Sequence, residues 1–229
     1  MKNIFAAMLT ILMCTSVFCA SAETNLDTMT LEELLQLRSE VSNRIVEIYQ
    51  QTEGDVPTGS LGTIAELFPD EPFAMAIRDA LGKLSISQSV TQEELDNIND
   101  ITVGGKSTFG EISSIEGIGY LRNLESLMFL NRAAAGLREL PEEFYSLTHM
   151  RYVYLSGTSL QSISPLIGNL VNLKTLVLSS SDLTNLPDEL CNCTLLEELD
   201  ISYTKITEVP PVLFSMPNVK VSMKGTDIK

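Results

Sequence analysis

Tryptophan is absent from this chain, histidine occurs once, and basic residues number 15 against 30 acidic ones. Each shortage closes a class of function. A Ser/His/Asp or Cys/His mechanism has only His149 to use, and no nucleophile-elbow pattern lies near it. His149 is therefore expected at the rim of a repeat, just before a strand, and the chain is not expected to be an enzyme. A formal charge of −15 repels nucleic acid and anionic membrane surfaces, so no nucleic-acid partner is expected. The excess carboxylates fit a solvated outer face or a neutral to basic protein partner.

Cysteine is scarce too. Cys14 and Cys19 fall within the first 22 residues, leaving Cys191 and Cys193 for the rest of the chain. Two thiols make no disulfide framework, and two Cys with one His make no zinc set. Gly104-Gly105 lacks the Gly-Lys-Ser/Thr ending of a phosphate loop and reads as a turn. The acidic pairs Glu142-Glu143, Asp188-Glu189 and Glu197-Glu198 lie on an open repeat surface without the cleft that paired-carboxylate hydrolysis needs. Neither a metal nor a cofactor is expected.

The N-terminus carries an address. Lys2 precedes a nearly continuous apolar run from Ile4 to Phe18, and Ala20-Ser21-Ala22 fits the small-x-small cleavage rule. About 15 apolar residues are fewer than the roughly 20 of a spanning helix. Residues 1–22 read as a signal peptide, and the mature chain should have no membrane-spanning segment. Thr30-x-x-Glu33 is a capping box, and Leu31, Leu34, Leu35, Val41, Ile45 and Ile48 make one stripe of a helix to about Gln50. That stripe must meet the following domain or a second copy. Gln51 to Thr63, rich in Gly, Thr and Ser, reads as a linker, so residues 23–63 form a helix and its tether.

The chain's strongest signal is a register of 23 residues. Met150-Val153-Leu155-Thr158-Leu160-Ile163 aligns with Leu173-Leu176-Leu178-Ser181-Leu183-Leu186 and with Leu196-Leu199-Ile201-Thr204-Ile206-Val209. This is leucine-rich repeat spacing, in which each short strand, turn and return segment buries its apolar edge only against a neighbour. Pro141, Pro187 and Pro210 follow the apolar residue ending the turn, with Pro165 one place later, so the return segments should be extended or short-helical. Leu124-Leu127-Phe129 opens a repeat with three extra residues near Arg132-Ala133-Ala134-Ala135, expected to bulge without breaking the stack. In this register Cys193 takes an apolar position and Cys191 the outward side, so the two thiols should diverge. Val221, Met223, Thr226 and Ile228 begin a truncated last repeat whose strand edge is open to pairing.

Residues 64–100 read as a helical cap. Asp70-Glu71-Pro72-Phe73 opens one helix, with Phe73, Ile77 and Leu81 apolar and Gly82 as the stop, and Thr91-x-x-Glu94 caps another. Such helices cover the first repeat, which has no neighbour on its outer side. Repeats then occupy 101–229, starting at Ile101 and Val103.

The segment from Leu67 through Phe68-Pro69-Asp70-Glu71-Pro72-Phe73 to Gly82, then Thr91 to Leu95, then Ile115-Glu116-Gly117-Ile118-Gly119-Tyr120-Leu121, closely resembles the cap and first repeat of bacterial internalin-like leucine-rich repeat proteins. The resemblance implies an α/β solenoid with a concave parallel sheet and protein–protein recognition at a secreted or cell-surface address. One departure is the ninth repeat position. The family usually places Asn there, bonding backbone across repeats, whereas this chain has Thr158, Ser181, Thr204 and Thr226; the hydroxyls should keep the fold with a weaker ladder. Leu186-Pro187-Asp188-Glu189-Leu190 lacks the threonine of a sortase motif, so covalent wall attachment is not expected.

Alternation along the strands sets the surface. Met128, Leu130, Tyr152, Tyr154, Thr175 and Val177 should lie on the concave face beside Glu198 and Asp200. An apolar, aromatic patch flanked by acid is typical of a contact site for a protein or peptide. The alternative is a structural, self-associating envelope role through the N-terminal helix or the open C-terminal edge.

Overall fold

A computed structural model describes residues 57–104, 110–216 and 218–228, together with Thr30, Gln36 and Glu40. The chain divides into Met1–Gln50 and Gln51–Lys229, and the fold below belongs to the second unit. The expected signal peptide and the start of the linker lie outside the described residues, as does the Thr30–Gln50 helix apart from Thr30 and the helical Gln36 and Glu40.

The cap starts earlier than the residues 64–100 expected of it. Strand β1 (Ser60–Thr63) pairs antiparallel with β2 (Ser89–Thr91), so the end of the segment read as linker is ordered. Its sequence held the reason. Thr63-x-x-Glu66 is a further capping box, with Thr63 Oγ1 accepting from Glu66 N at 3.2 Å and Glu66 Oε2 accepting from Thr63 N at 2.8 Å. That box starts the single-turn helix α1 (Ile64–Leu67). Helix α2 (Glu71–Ala80) follows with Asp70 as its cap and Pro72 in the first turn, where a missing N–H costs nothing. Helix α3 (Gln92–Asp96) begins at the expected Thr91–Glu94 box. Phe73, Ile77, Leu95 and Ile98 are buried, and Phe68 meets Phe73 edge-on with ring centroids 5.7 Å apart.

Six parallel strands then pair in chain order: β3 (Asp100–Val103), β4 (Ser126–Phe129), β5 (Tyr152–Tyr154), β6 (Thr175–Val177), β7 (Glu198–Asp200) and β8 (Lys220–Ser222). Parallel neighbours need a crossover, supplied here by five-residue 3-10 turns such as Glu142–Ser146, Pro165–Asn169 and Asp188–Asn192. The prolines act as expected: Pro141, Pro187 and Pro210 are the residues from which these turns spring. One apolar spine fills the interior, with Leu127, Val153, Leu176 and Leu199 at most 1% exposed. Removing any one of them should cost about 2–5 kcal/mol, because a stack closed on both sides cannot collapse onto the cavity.

The inserted residues after β4 are stitched in on both sides. Ala133 O accepts from Ile112 N at 2.9 Å, Ala135 O accepts from Ser159 Oγ at 2.7 Å, and Ala134 is buried. The β4–β5 register is undisturbed, Ser126 facing Tyr152 and Met128 facing Tyr154. Gly117 ties the first repeat to the cap. Its φ is +87°, and a Cβ there would lie 2.0 Å from the Leu67 carbonyl oxygen, so no other residue fits.

The ninth-position hydroxyls work differently from the Asn they replace. Thr158, Ser181, Thr204 and Thr226 each donate to the carbonyl three residues back in their own turn, at 3.0, 2.6, 2.8 and 2.8 Å. Bonds between repeats pass to the backbone, as in Gly157 N to Ser179 O and Ser180 N to Ser202 O, both 2.8 Å.

Candidate functional site

Side chains at even spacing on the strands enter the spine, and their neighbours form the outer face of the sheet. Register sets them in two rows. The lower runs Asp100, Ser126, Tyr152, Thr175, Glu198, Lys220, and the upper Thr102, Met128, Tyr154, Val177, Asp200, Ser222. The residues expected to form the patch therefore do share one face, with Leu130 just beyond the upper row. Leu130 is 43% and Tyr152 36% exposed, while Met128, Tyr154, Val177, Glu198 and Asp200 are partly buried.

Thr175 departs from the expected exposed set. At 7% exposed it is a floor between the taller side chains of Tyr152 and Glu198. Ser126 sinks likewise between Asp100 and Tyr152, and Ser202 is buried as well. Ser126 Oγ is a buried polar atom with no hydrogen-bond partner, beside Tyr152 in the lower row.

Charges divide sharply between this face and its lower border. At the border, Glu125 pairs with Arg151 at 3.4 Å and Lys174 with Glu197 at 3.5 Å. On the face, neither Glu198 nor Asp200 has a basic nitrogen within 4.0 Å among the described residues, although Lys220 stands opposite Glu198 on β8. Asp200 Oδ1 accepts only from Ser202 N, at 2.9 Å.

His149 is explained by a ladder that pattern reading missed. At three successive repeats the residue just before the first apolar position reaches back to the preceding segment, whereas the next repeat has Leu195 there. Asn123 Nδ2 donates to Asp96 O at 2.9 Å, His149 Nδ1 to Arg122 O at 3.1 Å, and Asn172 Nδ2 to Thr148 O at 2.8 Å. The shared polar identity at positions 123, 149 and 172 was the available signal. An open depression of about 390 Å³ lies on another surface, lined by Gly117, Gly119, Tyr120, Arg122, Glu143 and Ser146. Its one carboxylate, Glu143, already accepts from Gly117 N at 3.3 Å.

The two thiols diverge as their register required. Cys193 is buried and its Sγ donates to Ile167 O at 3.3 Å, while Cys191 is partly exposed. Burial, with a smaller repulsion from Cys191, pushes the Cys193 thiol up to about 11. Among the described residues no helix is long and apolar enough to cross a membrane, and no cluster of His, Cys, Asp and Glu is arranged to hold a metal ion.

Residues 50–96 match the family described as bacterial adhesion/invasion protein N terminal, and residues 195–216 match a leucine-rich repeat. The first match covers the cap, including its strand pair, and the second covers a repeat already defined by spacing. In its cap and repeats the chain resembles internalin-like leucine-rich repeat proteins. Among its relatives is Internalin H of Listeria monocytogenes, 39% identical over 61 residues, which is 27% of this chain and 10% of that protein. The aligned part thus spans about a tenth of the relative's length. Similar solved structures include an internalin of L. monocytogenes, 23% identical with a TM-score of 0.48, over 73% of this chain and 60% of that one. Another is its internalin C2, 22% identical with a TM-score of 0.41, over 76% and 92%. The structural likenesses are remote, and the assignment rests on the cap match and the repeats. Protein–protein recognition is what this internalin-like family suggests.

Proposed function

We propose that this internalin-like protein is exported and recognises another protein through the outer, concave face of its sheet, without catalysing a reaction. The observation that carries the reading is the contiguity of Met128, Leu130, Tyr152, Tyr154 and Val177 on one surface. Exposed side chains of this kind cost solvation free energy unless a partner covers them. Large amphipathic anchors such as tyrosine carry much of the binding energy in interfaces, about 2 kcal/mol or more each at the centre. Neither tyrosine hydroxyl has a protein hydrogen-bond partner among the described residues, which leaves both free to bond a ligand. Export is supported by the apolar run from Ile4 to Phe18 followed by Ala20-Ser21-Ala22.

The test is affinity capture from the native environment with the wild-type chain and the Tyr152→Ala/Tyr154→Ala double variant as baits. Capture should fall at least about 100-fold in the variant while its circular dichroism matches wild type. Undiminished capture excludes this face. Export is checked by N-terminal sequencing of protein recovered outside the cytoplasm, with Glu23 expected as the first residue.

A further inference from the structure

The two rows of the sheet face repeat one arrangement. In the lower row a ring (Tyr152), a short side chain (Thr175) and a carboxylate (Glu198) stand on successive strands; in the upper row the same order is Tyr154, Val177, Asp200. Strands lie about 4.8 Å apart, so each tyrosine and its carboxylate stand roughly 9.6 Å apart, with buried Thr175 between them in the lower row and partly buried Val177 in the upper. The two slots are offset along the strands by two residues, about 6.6 Å.

An aromatic face opposite a carboxylate suits a cation that is flat or slender. The ring attracts it through its quadrupole, and the carboxylate gives a charge-assisted bond. Among the described residues neither carboxylate has a basic nitrogen within 4.0 Å, whereas Glu125 and Glu197 at the lower border are paired. The chain's charge of −15 draws cationic segments to the whole surface. Ser126 Oγ, buried and without a partner, lies on the same face beside Tyr152.

We propose that the occupant of this face is an extended polypeptide segment with arginine or lysine at positions i and i+2, one cation in each slot. Side chains two apart on an extended chain point the same way and are separated by the same distance as the slots. The residue between them points away from the sheet. This deepens the proposed recognition function and rests on it.

The probe is a synthetic peptide with the core Arg-Leu-Arg flanked by leucines, titrated calorimetrically into the full chain at about 0.05 M and about 0.5 M salt. A control peptide carries its arginines at i and i+1. The proposal expects binding of the first peptide, at least about tenfold weaker binding of the control, and at least about tenfold weakening at the higher salt. Glu198→Gln/Asp200→Asn should weaken binding by a similar factor, because the shapes persist and only the charges leave. No binding to wild type, equal binding to the charge-neutral variant, or equal binding of the control peptide each overturn it. So does binding of a neutral oligosaccharide that the tyrosine variant loses and the charge-neutral variant keeps. If a captured protein needs Tyr152 and Tyr154 but ignores Glu198→Gln/Asp200→Asn, the slots are wrong and the recognition face stands. If capture ignores both variants, the face itself is wrong.

Discussion

Asp70 joins the cap to the first repeat, and its removal gives the sharpest stability prediction. One carboxylate oxygen accepts from Phe73 N at 3.0 Å, capping α2. The other accepts from Ser113 N at 2.9 Å, Ser113 Oγ at 2.9 Å and Ser114 N at 3.0 Å. Asp70→Ala leaves four donors without that acceptor. Loss of an N-cap costs about 1 kcal/mol, and each backbone bond to a carboxylate contributes about 1 kcal/mol where water partly replaces it. The exposed Ser113 hydroxyl finds water and adds little. The expected loss is about 3 kcal/mol, with Asp70→Asn losing about half because its amide oxygen keeps one acceptor side. Urea unfolding followed by circular dichroism reads the total, and amide exchange at Ser113 and Ser114 reads the local part. A cost below about 1 kcal/mol with unchanged exchange at those amides would refute the account of how the cap is held.

Three further outcomes follow from named groups. Ser126→Ala should stabilise the fold by about 1 kcal/mol in the same urea assay, since it removes a buried hydroxyl with no partner; destabilisation would mean that the hydroxyl is satisfied. Cys193, with its thiol pushed up to about 11 by burial, should resist alkylation at pH 8 in the folded chain while Cys191 reacts; peptide mapping that finds both labelled at similar rates contradicts this burial. Burial raises Glu94, but its bond to Lys83 at 2.6 Å and the capping bonds of Thr91 outweigh that and leave it lowered. A carboxylate lowered in the folded state contributes stability above its unfolded value and loses it as pH falls through the folded one. Wild type should thus lose more stability than Glu94→Gln on acidification below about pH 4.5, and equal slopes in pH-dependent urea midpoints would count against it.

Legibility in the sequence followed physical cause. Leucine spacing marked the spine because a 23-residue period stacks the apolar side chains of successive repeats, and the capping box at Thr91 and the Asp70-Glu71-Pro72 start announced their helices. The pairing of β1 with β2 was harder, since Gly59 and Gly62 read as a tether although both adopt positive φ, Gly59 in the turn before β1 and Gly62 at the register shift within it. Left-handed backbone was visible only where glycine marked it. Gly157 and Gly225 have φ of +74° and +71°, and Ser180 and Tyr203 hold the same repeat position at +57° and +58° with nothing in their identity to signal it. On the sheet face, alternation placed every chosen residue on the right side. It did not foresee that Thr175 would be a floor, because exposure depends on the height of neighbours on adjacent strands. Pairing of carboxylates was equally out of reach, since it is set across repeats.

The central claim, that the tyrosine-bearing sheet face is where a partner binds, is tested most directly by site-specific photocrosslinking in the native environment. A photoreactive residue placed at Tyr152 or Val177 should yield one common crosslinked protein, and the same group at exposed Leu166 or Phe214 on the return segments should yield none. Crosslinks from Leu166 and Phe214 with none from Tyr152 and Val177 would contradict the account.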